Sequence, residues 1–125
     1  MTLSKARFEA WLGELGEAWE ARDAERFATQ FAEDALFYRT PFDAPKRGRD
    51  EIAKAFTQAV ARQRDIDFGA RILYVQARLG AAHWSCAFTR EDNDKRVHLD
   101  GILVIQTGDD GSVRSFREWW HTDEK

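Results

Sequence analysis

Val97–Thr107, VHLDGILVIQT, Gly108–Ser112, GDDGS, and Val113–His121, VRSFREWWH, make up the stretch whose reading decides the fold. Two runs that alternate apolar and polar residues flank a turn built from Asp and Gly, the pattern of a long antiparallel hairpin. Successive side chains of a strand point to opposite sides, so each arm divides into two faces. On the first arm Gly101, Leu103 and Ile105 share one side, while His98, Asp100, Ile102 and Val104 share the other. On the second, Phe116, Glu118 and Trp120 oppose Arg117, Trp119 and His121.

Upstream, the period is helical. Phe8, Trp11, Leu12, Leu15 and Trp19 recur at helical spacing with Glu9, Glu14, Glu17 and Glu20 between them, and Ser4 is placed to cap the helix. A second short helix is expected after Asp23, with Phe27, Ala28 and Phe31 on one face and the Glu33-Asp34 pair ending it. Leu36–Thr40 reads as a strand stopped by Pro41, and Ile52, Phe56 and Val60 mark a third helix with Asp50 as its expected N-cap. From there the period is two: a strand around Ile72–Val75, a turn at Gly80, a strand over Ala81–Arg90, and then the closing hairpin. Helices first and antiparallel strands afterwards define an α+β domain, with helices packed on one face of a sheet and room for a ligand between them.

Composition narrows the function classes. The 125 residues hold 19 Lys and Arg against 22 Asp and Glu, and the two signs are interspersed; a nucleic-acid partner, which needs a basic stripe, is not expected. The cluster Lys46-Arg47-Gly48-Arg49 runs straight into Asp50-Glu51 and reads as a solvated loop. One cysteine, Cys86, cannot form an internal disulfide and suits a reducing compartment. No apolar run approaches the roughly 20 residues of a membrane span, so a cytoplasmic protein without a membrane partner is expected. Five Trp and nine Phe point to a core of bulky rings or to a ring-lined cavity.

The order of elements carries a resemblance. Phe31-Ala32-Glu33-Asp34-Ala35, the strand ending at Pro41, Gly48-Arg49-Asp50-Glu51-Ile52 and the closing Phe116-Arg117-Glu118-Trp119-Trp120 together look like the nuclear transport factor 2-like superfamily. The likeness is closest to its SnoaL-like polyketide cyclase and ketosteroid isomerase-like members. It spans nearly all of residues 1–125 as a single domain. It implies a cone-shaped, curved antiparallel sheet, a half-barrel, packed on three N-terminal helices, commonly as a homodimer, and it calls for no cofactor or metal. Members include isomerases, cyclases, dehydratases, hydrolases and non-catalytic subunits, so membership does not assign an activity. The positions at which steroid isomerases of the family carry their base, oxyanion-binding tyrosine and protonated acid hold Arg39, Leu15 and Leu103 here. Steroid isomerase chemistry is therefore not expected.

The resemblance also labels the faces: it places Leu103 and Trp120 inward. Phe116 and Glu118 follow them, as do Trp84, Cys86 and Phe88 from the preceding strand and Phe37 and Arg39 from the first. With Trp11 and Leu15 from the first helix, these residues form the expected ligand-binding wall, and Arg39 and Glu118 are its candidate catalytic groups. Their plainer role is a structural ion pair; their chemical role has Arg39 holding a carboxylate or enolate while a buried Glu118 moves a proton. A bulge at Gly101 would reverse the facing and bring His98 and Asp100 inward as an alternative acid-base pair. His98, Asp100 and His121 also make a weak metal motif, disfavoured by their outward facing. Cys86 reads as a small apolar filler. Ile102, Val104 and Trp119 leave an apolar outer face, which points to a homodimer through the sheet. Three readings remain: a proton-moving pocket enzyme acting on an apolar, ring-containing small molecule, a non-catalytic binder of such a ligand, and a dimerisation module whose cavity is filled.

Overall fold

In the computed structural model, which describes residues 2–124, Ser4 starts the first helix, α1 (Lys5–Glu20), by accepting the Arg7 backbone N–H at 3.1 Å. Asp23 does the same for α2 (Ala24–Ala28) through the N–H of Arg26. Both satisfy donors that a helix end otherwise leaves without partners. The third helix, α3 (Gly48–Val60), departs from expectation. Its N-cap is Arg47, and Asp50 lies within the first turn. Here Glu51 reaches back to the Arg47 N–H at 2.9 Å, and Gly48 takes a φ of +84° that favours glycine.

Strand β1 (Phe31–Tyr38) begins five residues before the expected Leu36. Phe31 is one helical turn from Phe27, so spacing fits either element; the structure breaks the helix at Thr29 and buries Phe31 from the sheet. Glu33 and Asp34 then sit where the register against the last strand is irregular, and Asp34 accepts from Arg114 at 2.8 Å. After the two-residue β2 (Lys46–Arg47) and α3 come β3 (Gln63–Gln76), β4 (Leu79–Arg90), β5 (Arg96–Thr107) and β6 (Val113–Glu124). β3 is much longer than its apolar centre because its polar flanks are still hydrogen-bonded to β4.

The strands form one curved sheet in the order β2-β1-β6-β5-β4-β3. It is not wholly antiparallel: β1 lies parallel to β6. α3 carries the chain from β1 to the far edge of the sheet, and three antiparallel reversals bring β6 back in the direction of β1. The β1–β6 pairing ends at Tyr38 and Arg117, whereas β6 runs on to Glu124. The three helices cover the concave face, so the architecture is the α+β half-barrel cone.

Between β4, β5 and β6 the register is unbroken from Val97 to Gln106 and shifts only beyond it. Gly101 makes no bulge. It pairs with Trp84 on one side and Trp120 on the other, so a glycine separates two indoles whose ring centroids are 6.5 Å apart. A Cβ at Gly101 would press into the Trp119 carbonyl oxygen and lie 2.8 Å from the Trp120 Cβ. Gly16 on α1 gives way in the same manner to the ring of Phe68. Gly101→Ala is expected to destabilise the fold by about 1–3 kcal/mol, the usual effect of overpacking. A urea midpoint that falls at constant m-value would register it; an unchanged midpoint would mean that β6 can withdraw from β5 without penalty.

Candidate functional site

Rings fill the closed end of the cone. Phe37 and Phe116 stack at 4.7 Å, and Phe31 meets both edge-on. Towards the other end the concave side of the sheet and the helices draw apart, leaving a cavity of about 370 Å³. Leu15 and Trp19 of α1, Phe27 of α2 and Phe56 of α3 form one wall; Trp84, Phe88, Leu103, Phe116 and Trp120 form the other. Its polar side chains are the minority: Arg39, Gln58, Arg62, Gln63, Arg90, Glu118 and Thr122. Mostly apolar walls with sparse polar groups are the usual composition of a small-molecule site.

Glu118 stands opposite Leu103 on β5, with a side chain only 11% exposed. Arg39, at the end of β1, brings Nε to 3.8 Å from its Oε1, too far for a hydrogen bond, and is itself 39% exposed. The guanidinium also lies over the Trp120 ring, 5.6 Å from its centroid. Taking the carboxyl out of water pushes its pKa up to about 7, against the nearby Arg39 charge, which draws it down. Desolvation outweighs the ion pair, and the group is poised to exchange a proton near neutral pH.

Leu15, Phe37, Trp84, Phe88, Leu103, Phe116 and Trp120 share this cavity with Arg39 and Glu118. Trp11 and Cys86 do not. The Trp11 indole N–H donates to the Gln30 carbonyl at 2.8 Å, which pins the ring at the helix–strand junction against Phe8, Phe31 and Phe116. Cys86 faces the concave side but is buried between Phe68 and Leu99 on the adjoining strands. Burial pushes its thiol up to about 12, so it stays protonated and acts as packing.

His98 and Asp100 are exposed on the convex face, because the register runs straight through Gly101. Asp100 instead pairs there with His83, whose Nε2 lies 2.9 Å from Oδ1. Among the described residues no three His, Cys, Asp or Glu side chains converge as metal ligands.

Several lining residues lie outside the sequence-derived wall. Trp19, Phe27 and Phe56 belong to helical stripes that are read as core, and a stripe carries no mark of where core ends and cavity begins. Phe68 falls in the polar-flanked part of β3. Gln63 is the least conspicuous: it is buried, accepts the Trp19 indole N–H at 2.9 Å and donates to the Ala59 carbonyl at 3.2 Å. In the sequence it only opens the polar run Gln63-Arg64-Asp65, in which nothing marks one member as buried.

The curved mixed sheet over three helices with a cavity between them defines the class: the ketosteroid isomerase-like α+β cones. Residues 12–116 match the SnoaL-like domain, and the chain belongs to that family. No curated protein matches it. Among solved structures, SalBIII, an epoxide hydrolase/cyclase-like enzyme of pyran ring formation in the polyether salinomycin, superposes with a TM-score of 0.78 at 16% identity, over 94% of this chain and 93% of its own. A computationally designed 17-OHP binder gives 0.76 at 14% identity, over 94% and 96%. A protein of ketosteroid isomerase-like fold from Catenulispora acidiphila DSM 44928, in complex with trimethylamine, gives 0.76 at 13% identity, over 87% and 83%. At these identities the likeness is one of fold.

The raised pKa of Glu118 ties stability to pH. Between the ordinary value of 4.5 and about 7 the folded protein keeps a proton that the unfolded chain has lost. The stabilisation is complete below the first value and disappears as pH rises through the second. Glu118→Gln, which cannot ionise, should therefore gain on the wild type by up to about 3 kcal/mol between about pH 5 and pH 8. Urea unfolding of both proteins at the two pH values measures it; a constant difference would mean an unshifted carboxyl.

Proposed function

We propose that the cavity takes up a small, apolar, ring-containing carbonyl compound and that Glu118 moves a proton on it. The observation that carries this reading is a carboxyl, nearly removed from solvent in a ring-lined cavity, with its pKa near neutrality. A base at such a pKa is sufficiently ionised to accept a proton and sufficiently basic to hold it. In the proposed step a Glu118 carboxylate oxygen takes the proton from the carbon beside the carbonyl. The C–H bond breaks, an O–H bond forms on Glu118, and the electron pair passes to the carbonyl oxygen as an enolate. Arg39, 3.8 Å from Glu118, supplies the positive charge that favours that enolate. Return of the proton to a different carbon gives an isomerase, and expulsion of a leaving group gives a dehydratase or opens the way to ring closure. SalBIII, described as epoxide hydrolase/cyclase-like, supports the fold's suitability for ring-forming chemistry, and the designed 17-OHP binder its suitability for holding a small ligand.

β-Tetralone, a bicyclic ketone, tests the step. The protein should bind it with a change in tryptophan fluorescence and speed deuterium uptake beside the carbonyl. Glu118→Gln should bind it equally and lose about 10²–10⁴-fold of that acceleration. Binding with no acceleration by the wild type would favour the non-catalytic binder; no binding would favour the dimerisation module.

A second copy of the chain is the proposed partner of the convex face. Trp119, 49% exposed, and Ile102, 36% exposed, are directly paired across β5 and β6, with the half-buried Val104 beside them. Around them stand His83 with Asp100 and Arg117 stacked on Tyr38, so both signs of charge border the apolar centre, as a self-matching surface requires. A buried free cysteine and the absence, among the described residues, of a helix long and apolar enough to cross a membrane are compatible with the cytoplasm as its place of work. Sedimentation should give a dimer mass at micromolar concentration, and Trp119→Glu should give a monomer; a monomeric wild type would remove the proposed partner.

A further inference from the structure

Strand β1 pairs with β6 only as far as Tyr38 and Arg117. Past that point a groove lies between Thr40 and Pro41 on one side and Ile102 and Trp119, on the convex face of the sheet, on the other. The ring-lined cavity is on the concave side, yet groove and cavity share three residues: Arg39, Glu118 and Trp120. Those side chains form the partition between the two spaces.

The partition is thin and loosely held. Glu118 keeps 11% of its side chain exposed. Arg39 makes no side-chain hydrogen bond among the described residues; it has only the ion pair with Glu118 at 3.8 Å and the face of Trp120 at 5.6 Å. An ion pair this exposed holds a side chain weakly, and exposed rotamers exchange far faster than an enzyme turns over. The cavity also meets solvent elsewhere, at Arg62, whose side chain lines it and is 73% exposed. A ligand therefore need not pass between Arg39 and Glu118.

We infer that the groove is a second opening to Glu118, by which the carboxyl exchanges its proton with solvent while a ligand fills the cavity. This rests on the proton-moving reading above and adds the way the proton leaves. Once Glu118 has taken a proton from the ligand carbon, water in the groove accepts it: the O–H bond on Glu118 breaks, one forms on the water, and the carboxylate is restored. An enclosed base without such a route can only give back the proton it took. The opening therefore favours reactions that lose the abstracted proton to solvent over those that return it to a second carbon. Ile102 and Trp119 also belong to the proposed contact with a second copy, and pairing would cover the groove. The opening is a property of the single chain, and it is tested in solutions too dilute for pairing.

Thiol labelling with methyl methanethiosulfonate tests it. Cys86 is buried and stays protonated, so the thiol introduced by Glu118→Cys or by Leu103→Cys is the one that reacts. Leu103 is directly opposite Glu118 on β5 and lines the cavity but not the groove. Saturating β-tetralone should slow labelling of the Leu103→Cys protein more than about tenfold and that of Glu118→Cys by less than about threefold, because a ligand encloses the cavity wall and leaves the groove free. Thr40→Trp adds bulk to the groove alone. Combined with Glu118→Cys it should slow labelling about tenfold in the presence of β-tetralone, and by itself it should cut deuterium uptake into β-tetralone about tenfold with binding unchanged. Equal protection of the two thiols by β-tetralone, or a Thr40→Trp that leaves labelling and uptake as they were, would overturn the second opening while leaving the pocket in place. Protection of neither thiol would overturn the small-molecule reading and this inference with it.

Discussion

The unbroken register of β4, β5 and β6 is the constraint on which the site depends. Strand side chains alternate, so a slip of one residue would turn every inner group outward. With the register as it stands, Glu118, Trp120, Leu103 and Trp84 face the helices, and His98, Asp100, Ile102 and Trp119 face away. Gly101 sits at the centre of this arrangement. It is the position where an extra residue would be easiest to accommodate, yet its missing side chain serves to let the strands stay close beneath two large indoles.

The cone divides into an end where rings touch and an end where they stand apart, and the division follows from what pins each ring. Trp11 is drawn to the closed end by a main-chain carbonyl; Trp19 is drawn towards the last turn of α3 by Gln63. Phe27 stacks on Phe56 at 4.1 Å and fastens α2 to α3, which fixes the helical wall while the sheet curves away from it. The space left between is hydrophobic enough to raise the pKa of a carboxyl, and an arginine at a distance too long for a hydrogen bond does not undo the effect.

Much of this was legible in residue pattern because the alternation of β5 and β6 is a period that no helix shares. Both faces of the hairpin follow from it once one residue is known to point inward. The helical caps at Ser4 and Asp23 were equally plain, since each precedes a stripe. What the pattern concealed was of a different kind. Phe31 satisfies a helical spacing and a strand position at once, and only tertiary packing chooses. The cap of α3 moved from Asp50 to Arg47 because Glu51 could reach back to the main chain. Trp11 and Cys86 lie on the expected sides of their elements, but facing inward does not distinguish a ring in the packed layer from one on the cavity wall. The parallel β1–β6 pairing is set by where α3 delivers the chain, which is not a local property.

β6 outruns its neighbour. Beyond Arg117 it has lost β1, and the main chain from Glu118 to Glu124 is paired only with β5. A bare strand edge of this kind is an invitation to stray strands, including those of another molecule, and proteins ordinarily blunt it with charge. Asp123 and Glu124 meet that need at the tip. The departure of β1 therefore leaves the second half of β6 with one partner strand, and its acidic tip makes that edge unattractive to any other backbone.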